Sequence, residues 1–277
     1  MKTLKRLLHN FAFTSGLILT VVLVIAALAA PLLAPYDPTS QDTARRLEGP
    51  SRQHLLGLDE LGRDVLSRII WGARVSLRVG FSVVILASAI GIALGAISGY
   101  FGGAIDTIIM RITDILLAFP GILLAIALVA VLGPSLNNVI LALATIGWVS
   151  YARLVRGQVL KVREMEYVTA AKALGARSPR VIIRHVLPNV INPVIVMATL
   201  GLAGAILSEA ALSFLGLGVQ PPTPSWGAML TEGRRYLGLA NHLAIFPGAA
   251  IMMAVMGLNF LGDGLIDALD PRYRKEM

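Results

Sequence analysis

Cysteine is absent from the 277 residues, which removes disulfides and thiolate metal sites from consideration. Histidine is scarce. His9, His54, His185 and His242 lie far apart and in no ligand spacing, so no zinc site is expected. Charge is scarce too, at 14% of the chain, where soluble domains carry about 25%. No G-x-x-x-x-G-K-[ST] phosphate loop occurs, so nucleotide cannot be held in that way. What remains is apolar: hydrophobic types make up 56% and mean hydropathy is +0.75. Those figures argue against a soluble enzyme, a disordered chain and a collagen.

A bilayer core takes about 20 apolar residues per helix. Six runs qualify: Leu17–Ala34, Val79–Tyr100, Ile115–Leu132, Val139–Trp148 extended to Leu154, Pro193–Leu217 and Leu243–Leu261. Barrel strands would alternate over about 10 residues, whereas these runs are apolar on all sides. The expected fold is an all-α polytopic bundle of six transmembrane helices. The first run follows a basic start and resembles a signal peptide, with Ala27-Leu28-Ala29 as a cleavage-like site. It is longer than a signal core of about 7–15 residues, so a retained anchor is expected. The expected division is 1–72 for the anchor and an external segment, 73–267 for a five-helix core, and 268–277 for a tail.

The net charge of +8 is explained by direction in the membrane. Cytoplasmic flanks and loops concentrate Lys and Arg. With the N-terminus inside, the inner side holds Lys2, Lys5, Arg6 and Arg111. The loop after run four adds Arg153, Arg156, Lys161, Arg163, Lys172, Arg177, Arg180 and Arg184, and the tail adds Arg272, Arg274 and Lys275. The loop after run three has no basic residue. Both termini are therefore expected in the cytoplasm. This also accounts for the basicity without nucleic acid, and makes membrane lipid the expected surroundings.

The inner loop from Val155 to Asn192 is the longest between spans on that side. Glu166 to Leu174 is built of helix formers, and Gly175 stands where a helix ends in a positive φ. Ser178-Pro179 reads as an N-cap and first helical position. A second helix runs toward Leu187, and Pro188 ends or bends it. Ala170, Ala171, Ala173, Leu174 and Ala176 form a small smooth patch beside Lys172, Arg177 and Arg180. Such a hairpin either docks a cytoplasmic partner or lies on anionic lipid.

Thr169-Ala170-Ala171, Gly175 and Leu187-Pro188 resemble, in register, the "EAA" loop of permease subunits of bacterial ABC importers. Thr169 stands where that family has Glu, and His185 where it has Ile. The stretches Leu56–Gly80, Gly99–Pro120, Leu212–Leu230 and Asn259–Arg272 are similar to the dipeptide, oligopeptide and nickel branch. Within it, they resemble the shorter, second permease of each pair. The resemblance implies a type I importer permease in the plasma membrane of a bacterium or archaeon. It implies a second homologous permease, two cytoplasmic ATPases and an extracytoplasmic substrate-binding protein. It implies that ATP and Mg are used by the ATPases, with no cofactor and no catalysis on this chain. Thr169, Ala170, Ala171, Lys172, Gly175, Ala176, Arg177, Ser178, Pro179, His185, Leu187 and Pro188 would form the ATPase-coupling loop. Peptide is the implied solute and nickel the alternative.

Other residues bear on rival readings. Glu209 is the acid enclosed within run five. It lines the pathway near a gate, or it is a carboxyl hydrogen-bonded across a helix interface. Arg111 and Asp114, with Asp263 and Asp267 after run six, read as inter-helix bracing. In the outer segment, Leu61, Val65, Ile69 and Ala73 recur at helical spacing, and Asp64 and Arg68 sit at i,i+4. They predict a short amphipathic helix lying on the outer face, serving as a lid or meeting the binding protein. An ion-coupled secondary transporter would want internal repeats and several intramembrane ionisable groups, and neither is apparent.

Overall fold

The computed structural model describes residues 11–269. Lys2, Lys5, Arg6, Asp270, Arg272, Arg274 and Lys275 lie outside the described residues. Among those described, the chain is helical and forms no strand, only an isolated bridge between Leu58 and Asp64.

Helix α1 (Phe11–Leu28) is followed by a four-residue turn of helix, α2 (Ala30–Leu33). An irregular strap over residues 35–64 leads to α3 (Val65–Phe101), which is 37 residues long. The amphipathic helix expected on the outer face is not a separate element. Val65, Ile69 and Ala73 belong to the first turns of α3, and Leu61 lies in the turn before it. Nothing between Ala73 and Val79 forces a break: Gly72 packs under Trp226, where a Cβ would sit 2.7 Å from the ring. The helix therefore runs unbroken through residues 72 and 73. Asp64 caps it by accepting from Ser67 N at 2.8 Å instead of pairing with Arg68.

The third expected span is also different. Helix α4 (Gly103–Leu117) and helix α5 (Gly121–Leu132) meet at a bend of 86°. Pro120 has no N–H to continue α4, and it disfavours the helical region at Phe119. The 12 residues of α5 reach roughly 18 Å at 1.5 Å each, too short to cross a core of about 30 Å alone. The apolar run Ile115–Leu132 is thus not a straight span but a broken span or a re-entrant pair. After Gly133, Ser135 caps helix α6 (Leu136–Val162) by accepting from Asn138 N.

The inner loop folds as expected in outline. Helix α7 (Glu166–Ala173) and helix α8 (Ser178–Val181) are joined by a turn at Gly175. Arg177, not Ser178, is the N-cap of α8, and Ser178 and Pro179 are its first residues. Pro188 does not end the helix. A π-helical turn (Ile182–Val186) precedes it, and Leu187 N donates to Ile182 O. That wider turn passes the hydrogen-bond ladder to the proline, so helix α9 (Leu187–Phe214) continues the same rod. Helix α10 (Trp226–Gly233) and helix α11 (His242–Leu269) complete the bundle.

Helix α3 packs most extensively on α6, and α1 on α11. The α3–α6 contact is built on Gly91, Gly95 and Gly99. A Cβ on them would lie 2.4 Å from Tyr151 Cβ, 2.5 Å from Ala152 O and 2.9 Å from Arg156 O. Small residues four apart let helices touch backbone to backbone, where apolar burial supplies little drive in lipid. The bundle has two distinct ends. The hairpin α7–α8 marks one, and the strap with α10 marks the other.

Candidate coupling hairpin and solute cavity

The hairpin turn is fully specified by its hydrogen bonds. Gly175 N donates to Lys172 O at 2.9 Å, and Ala176 N donates to Ala171 O at 3.1 Å. These are the two bonds of a Schellman motif, which requires a positive φ at the residue after the C-cap. Gly175 supplies it at φ +83°, with open space around it. Thr169, Ala170, Lys172, Gly175, Arg177, Pro179 and Pro188 are exposed, while Ala171, Ala176, Ser178, His185 and Leu187 are partly covered. Leu174 stands at the tip with 89% of its surface exposed among the described residues.

Beneath that surface the hairpin is rooted in the bundle. Val168, Val181 and Val186 join Val155, Val159, Val162 and Val190 in one buried cluster. Lys172 Nζ lies 5.1 Å from the Tyr100 ring centroid, and Arg163 donates to Gly99 O at 2.8 Å. The ends of α3, α6 and α9 are thereby tied to the hairpin, which can shift only with them.

Between α3, α5, α6 and α9 lies an open cavity of about 520 Å³. Its walls are mostly apolar, with Ser150, Tyr151 and Ser208 as polar groups. Gly201 faces the Tyr151 hydroxyl, 2.5 Å from where its Cβ would be, and Gly204 opens to free space. Glu209 is not on the cavity wall. It is fully buried, and its Oε1 accepts from Ser213 Oγ at 2.6 Å. Among the described residues its Oε2 has no hydrogen-bond partner, and the Ser76 hydroxyl lies near the carboxyl.

The bracing acids are distributed differently from the expectation. Asp114 pairs with Arg153 at 2.5 Å, and Asp106 with Arg156 at 2.5 Å, so α4 is braced to α6. Asp106 also accepts from Ser98. Arg111 forms no ion pair among the described residues, and Asp263 on α11 is exposed. At the other end, Arg63 binds Asp59 at 2.6 Å, Glu60 at 2.8 Å and Glu232 at 3.3 Å. Arg68 approaches Asp59 at 3.3 Å and Glu232 at 3.5 Å. The carboxylates of Asp59, Glu60 and Glu232 lie within 4.8 Å of one another, and the two guanidinium groups among them offset their charge. This network, with His54 to Asp64 at 3.0 Å, fastens the strap to α3 and α10. The sequence signal for the strap was Asp59-Glu60 three to four residues before Arg63. Glu232, far along the chain, carried none.

Residues 91–275 match the family described as binding-protein-dependent transport system inner membrane component. The chain belongs to that family. Residues 2–50 match the N-terminal transmembrane domain of oligopeptide transport permease C. The dipeptide transport permease DppC of Alkalihalophilus pseudofirmus is 48% identical over 270 residues, covering 98% of this chain and 89% of that one. The glutathione transport permease GsiD of Pectobacterium atrosepticum is 44% identical, covering 98% and 90%. The di/tripeptide permease DppC of Pseudomonas aeruginosa is 46% identical, covering 96% and 90%. Among solved structures, an inward-facing methionine ABC transporter, MetNI, superposes with a TM-score of 0.59 over 73% of this chain and 96% of its own, at 18% identity. That likeness concerns fold alone: the type I ABC importer permease fold. With its spanning helices, this family member is a multi-pass protein of the plasma membrane.

Proposed function

We propose that this chain forms half of the translocation pathway of an ATP-driven importer of di- or oligopeptides. It would pair with a second homologous permease and receive solute from an extracytoplasmic binding protein. Two cytoplasmic ATPases, using ATP and Mg, would seat the 169–188 loop. The residue spans 1–72, 73–267 and 268–277 would serve as anchor with strap, transport core and cytoplasmic tail. The observation that carries the reading is the rooted hairpin with an exposed tip at Leu174. A surface that only rested on lipid would need no valine anchor into α6 and α9. Peptide as solute is supported by relatives named for dipeptides, di/tripeptides and the tripeptide glutathione.

Coupling is then a rigid-body matter. ATPase closure would push the hairpin, and α6 and α9 would tilt with it, turning an inward-open pathway outward. The test is reconstitution of the chain with its partner permease, ATPases and binding protein in proteoliposomes. Gly175→Val forces a β-branched residue to a positive φ. Ala171→Glu places a charge in the docking face. Both should insert normally and lose ATPase co-purification and dipeptide uptake. Full ATPase occupancy and normal uptake by both variants would remove the coupling assignment.

A further inference from the structure

The cavity wall on α6 continues past its apolar lining. Leu143, Ile146 and Ser150 face the cavity, and Arg153 follows at the next step of the same helical stripe. Across from it, α4 carries Asp114, less than two turns before the break, and Gly121 beyond that break lines the cavity. Arg153 Nη2 donates to Asp114 Oδ1 at 2.5 Å, and Nε reaches Thr113 Oγ1 at 3.4 Å. Among the described residues, Nη1 and Oδ2 engage nothing.

The pair is more open than two others in the bundle and strap. Its side chains are 45% and 53% exposed, against 32% and 19% for the neighbouring Arg156–Asp106 pair and 4% and 5% for Arg63–Asp59. Arg153 lies nine residues before the end of α6, roughly 13 Å along the helix. Charges on a spanning helix face a protein interior or water, since hydrocarbon disfavours them. Arg153 follows Ser150 on the same stripe, so the pair sits one helical step beyond the residues that line the cavity, at its hairpin end.

We propose that Arg153 and Asp114 form an exchange site for the charged ends of a zwitterionic peptide at the hairpin end of the cavity. The inference rests on the peptide-importer reading. A guanidinium is a planar two-toothed donor for a carboxylate, and Asp114 accepts from an ammonium. In the empty site the two residues close on each other. When peptide occupies the cavity, its carboxylate takes Arg153 and its ammonium takes Asp114. The apolar walls above accept side chains by volume, so the charged rim recognises the feature every free peptide shares. A cavity of this size is within the usual range for small-ligand sites, about 300–1,000 Å³.

The absence of cysteine makes the test direct. Ser150 is exposed and makes no side-chain hydrogen bond among the described residues, so Ser150→Cys reports on the cavity with little disturbance. The intact nucleotide-free importer carrying Ser150→Cys is treated with a maleimide, without binding protein, in the presence of millimolar Ala-Ala or N-acetyl-Ala-Ala-amide. Ala-Ala should slow labelling by about tenfold, and the end-blocked analogue should slow it little, because only the former offers charge-assisted bonds. Arg153→Gln should abolish the protection in an importer that still assembles with its partner permease and ATPases. Equal protection by both peptides, no protection, or protection that survives Arg153→Gln overturns the exchange site. Uptake of Ala-Ala by the unmodified importer is measured alongside. Its absence would count against the peptide-importer reading itself, whereas normal uptake without protection counts against the exchange site alone.

Discussion

At the scale of single residues, the buried carboxyl of Glu209 sets a clear contrast between substitutions. Ser213 Oγ donates to Oε1, and the Ser76 hydroxyl lies near the carboxyl. Glutamine retains the shape, accepts from Ser213 and offers an N–H toward Ser76 Oγ. Glu209→Gln should therefore fold and transport close to normally. Glu209→Leu strips the Ser213 hydroxyl of its acceptor and should cost about 1–3 kcal/mol, read as a lower midpoint of thermal unfolding in detergent. Loss of transport by Glu209→Gln with normal stability would instead place the carboxylate in the transport cycle. Glu60 makes a second residue-level prediction. Burial first, then the charges of Asp59 and Glu232, push its carboxyl above the ordinary value. The folded state then binds more protons than the unfolded state between the ordinary and the raised values. Stability should fall as pH rises through that window, and the penalty is complete above the raised value. Glu60→Gln still accepts from Arg63 and carries no charge. It should flatten this slope and raise the unfolding midpoint at neutral pH. Unchanged slopes in wild type and variant would refute the assignment.

At the scale of elements, the glycine stripe of α3 makes a directional prediction. Gly95→Leu inserts a side chain where even a Cβ meets Ala152 O at 2.5 Å, so α3 and α6 must separate. Overpacking of this kind costs about 1–3 kcal/mol or more, and the complex should lose thermal stability and yield. Gly204→Ala, with open space on its side, is the control and should be silent. Much at this scale was legible beforehand. Apolar runs located the spans, and Gly175 with Pro179 located the hairpin, because local backbone chemistry leaves local marks. The glycines at 91, 95 and 99 carry a readable spacing signal in the same way, whereas of Gly201 and Gly204 only Gly201 makes a close contact. A proline inside the run, Pro120, marks a bend in the sequence, but not its 86°. A proline states that a hydrogen bond is missing, while neighbouring helices set the angle.

At the scale of the molecule, what escaped the sequence was partnership between distant charges. Arg153–Asp114 is separated by 39 residues and Arg156–Asp106 by 50. No spacing rule joins such positions, so bracing by Arg111 was the nearer guess. The direction expected from the distribution of basic residues has its own test. A single cysteine at Ser178 should react with an impermeant maleimide only from the cytoplasmic side, and one at Ser51, exposed in the strap, only from outside. Labelling of Ser178→Cys in intact cells would reverse the orientation and detach the hairpin from any cytoplasmic ATPase.

Helix α3 carries Arg68 of the strap network near one end and the glycine stripe near the other, on one uninterrupted rod. The two contacts are therefore locked in phase as well as in distance. Each added residue turns everything beyond it by about 100° and lengthens the rod by about 1.5 Å. One alanine inserted after Ala89 would point the stripe away from α6 while Arg68 kept its partners, or the reverse. No loop lies between them to absorb the turn. Seven inserted residues would come within about 20° of the original phase, but would displace the stripe by about 10 Å. Both insertions should abolish assembly. The same single alanine placed after Gln53, in the strap where no helix propagates the error, should be tolerated. Membrane yield of the assembled complex measures the difference, and equal tolerance at both places would mean that α3 does not act as one rod.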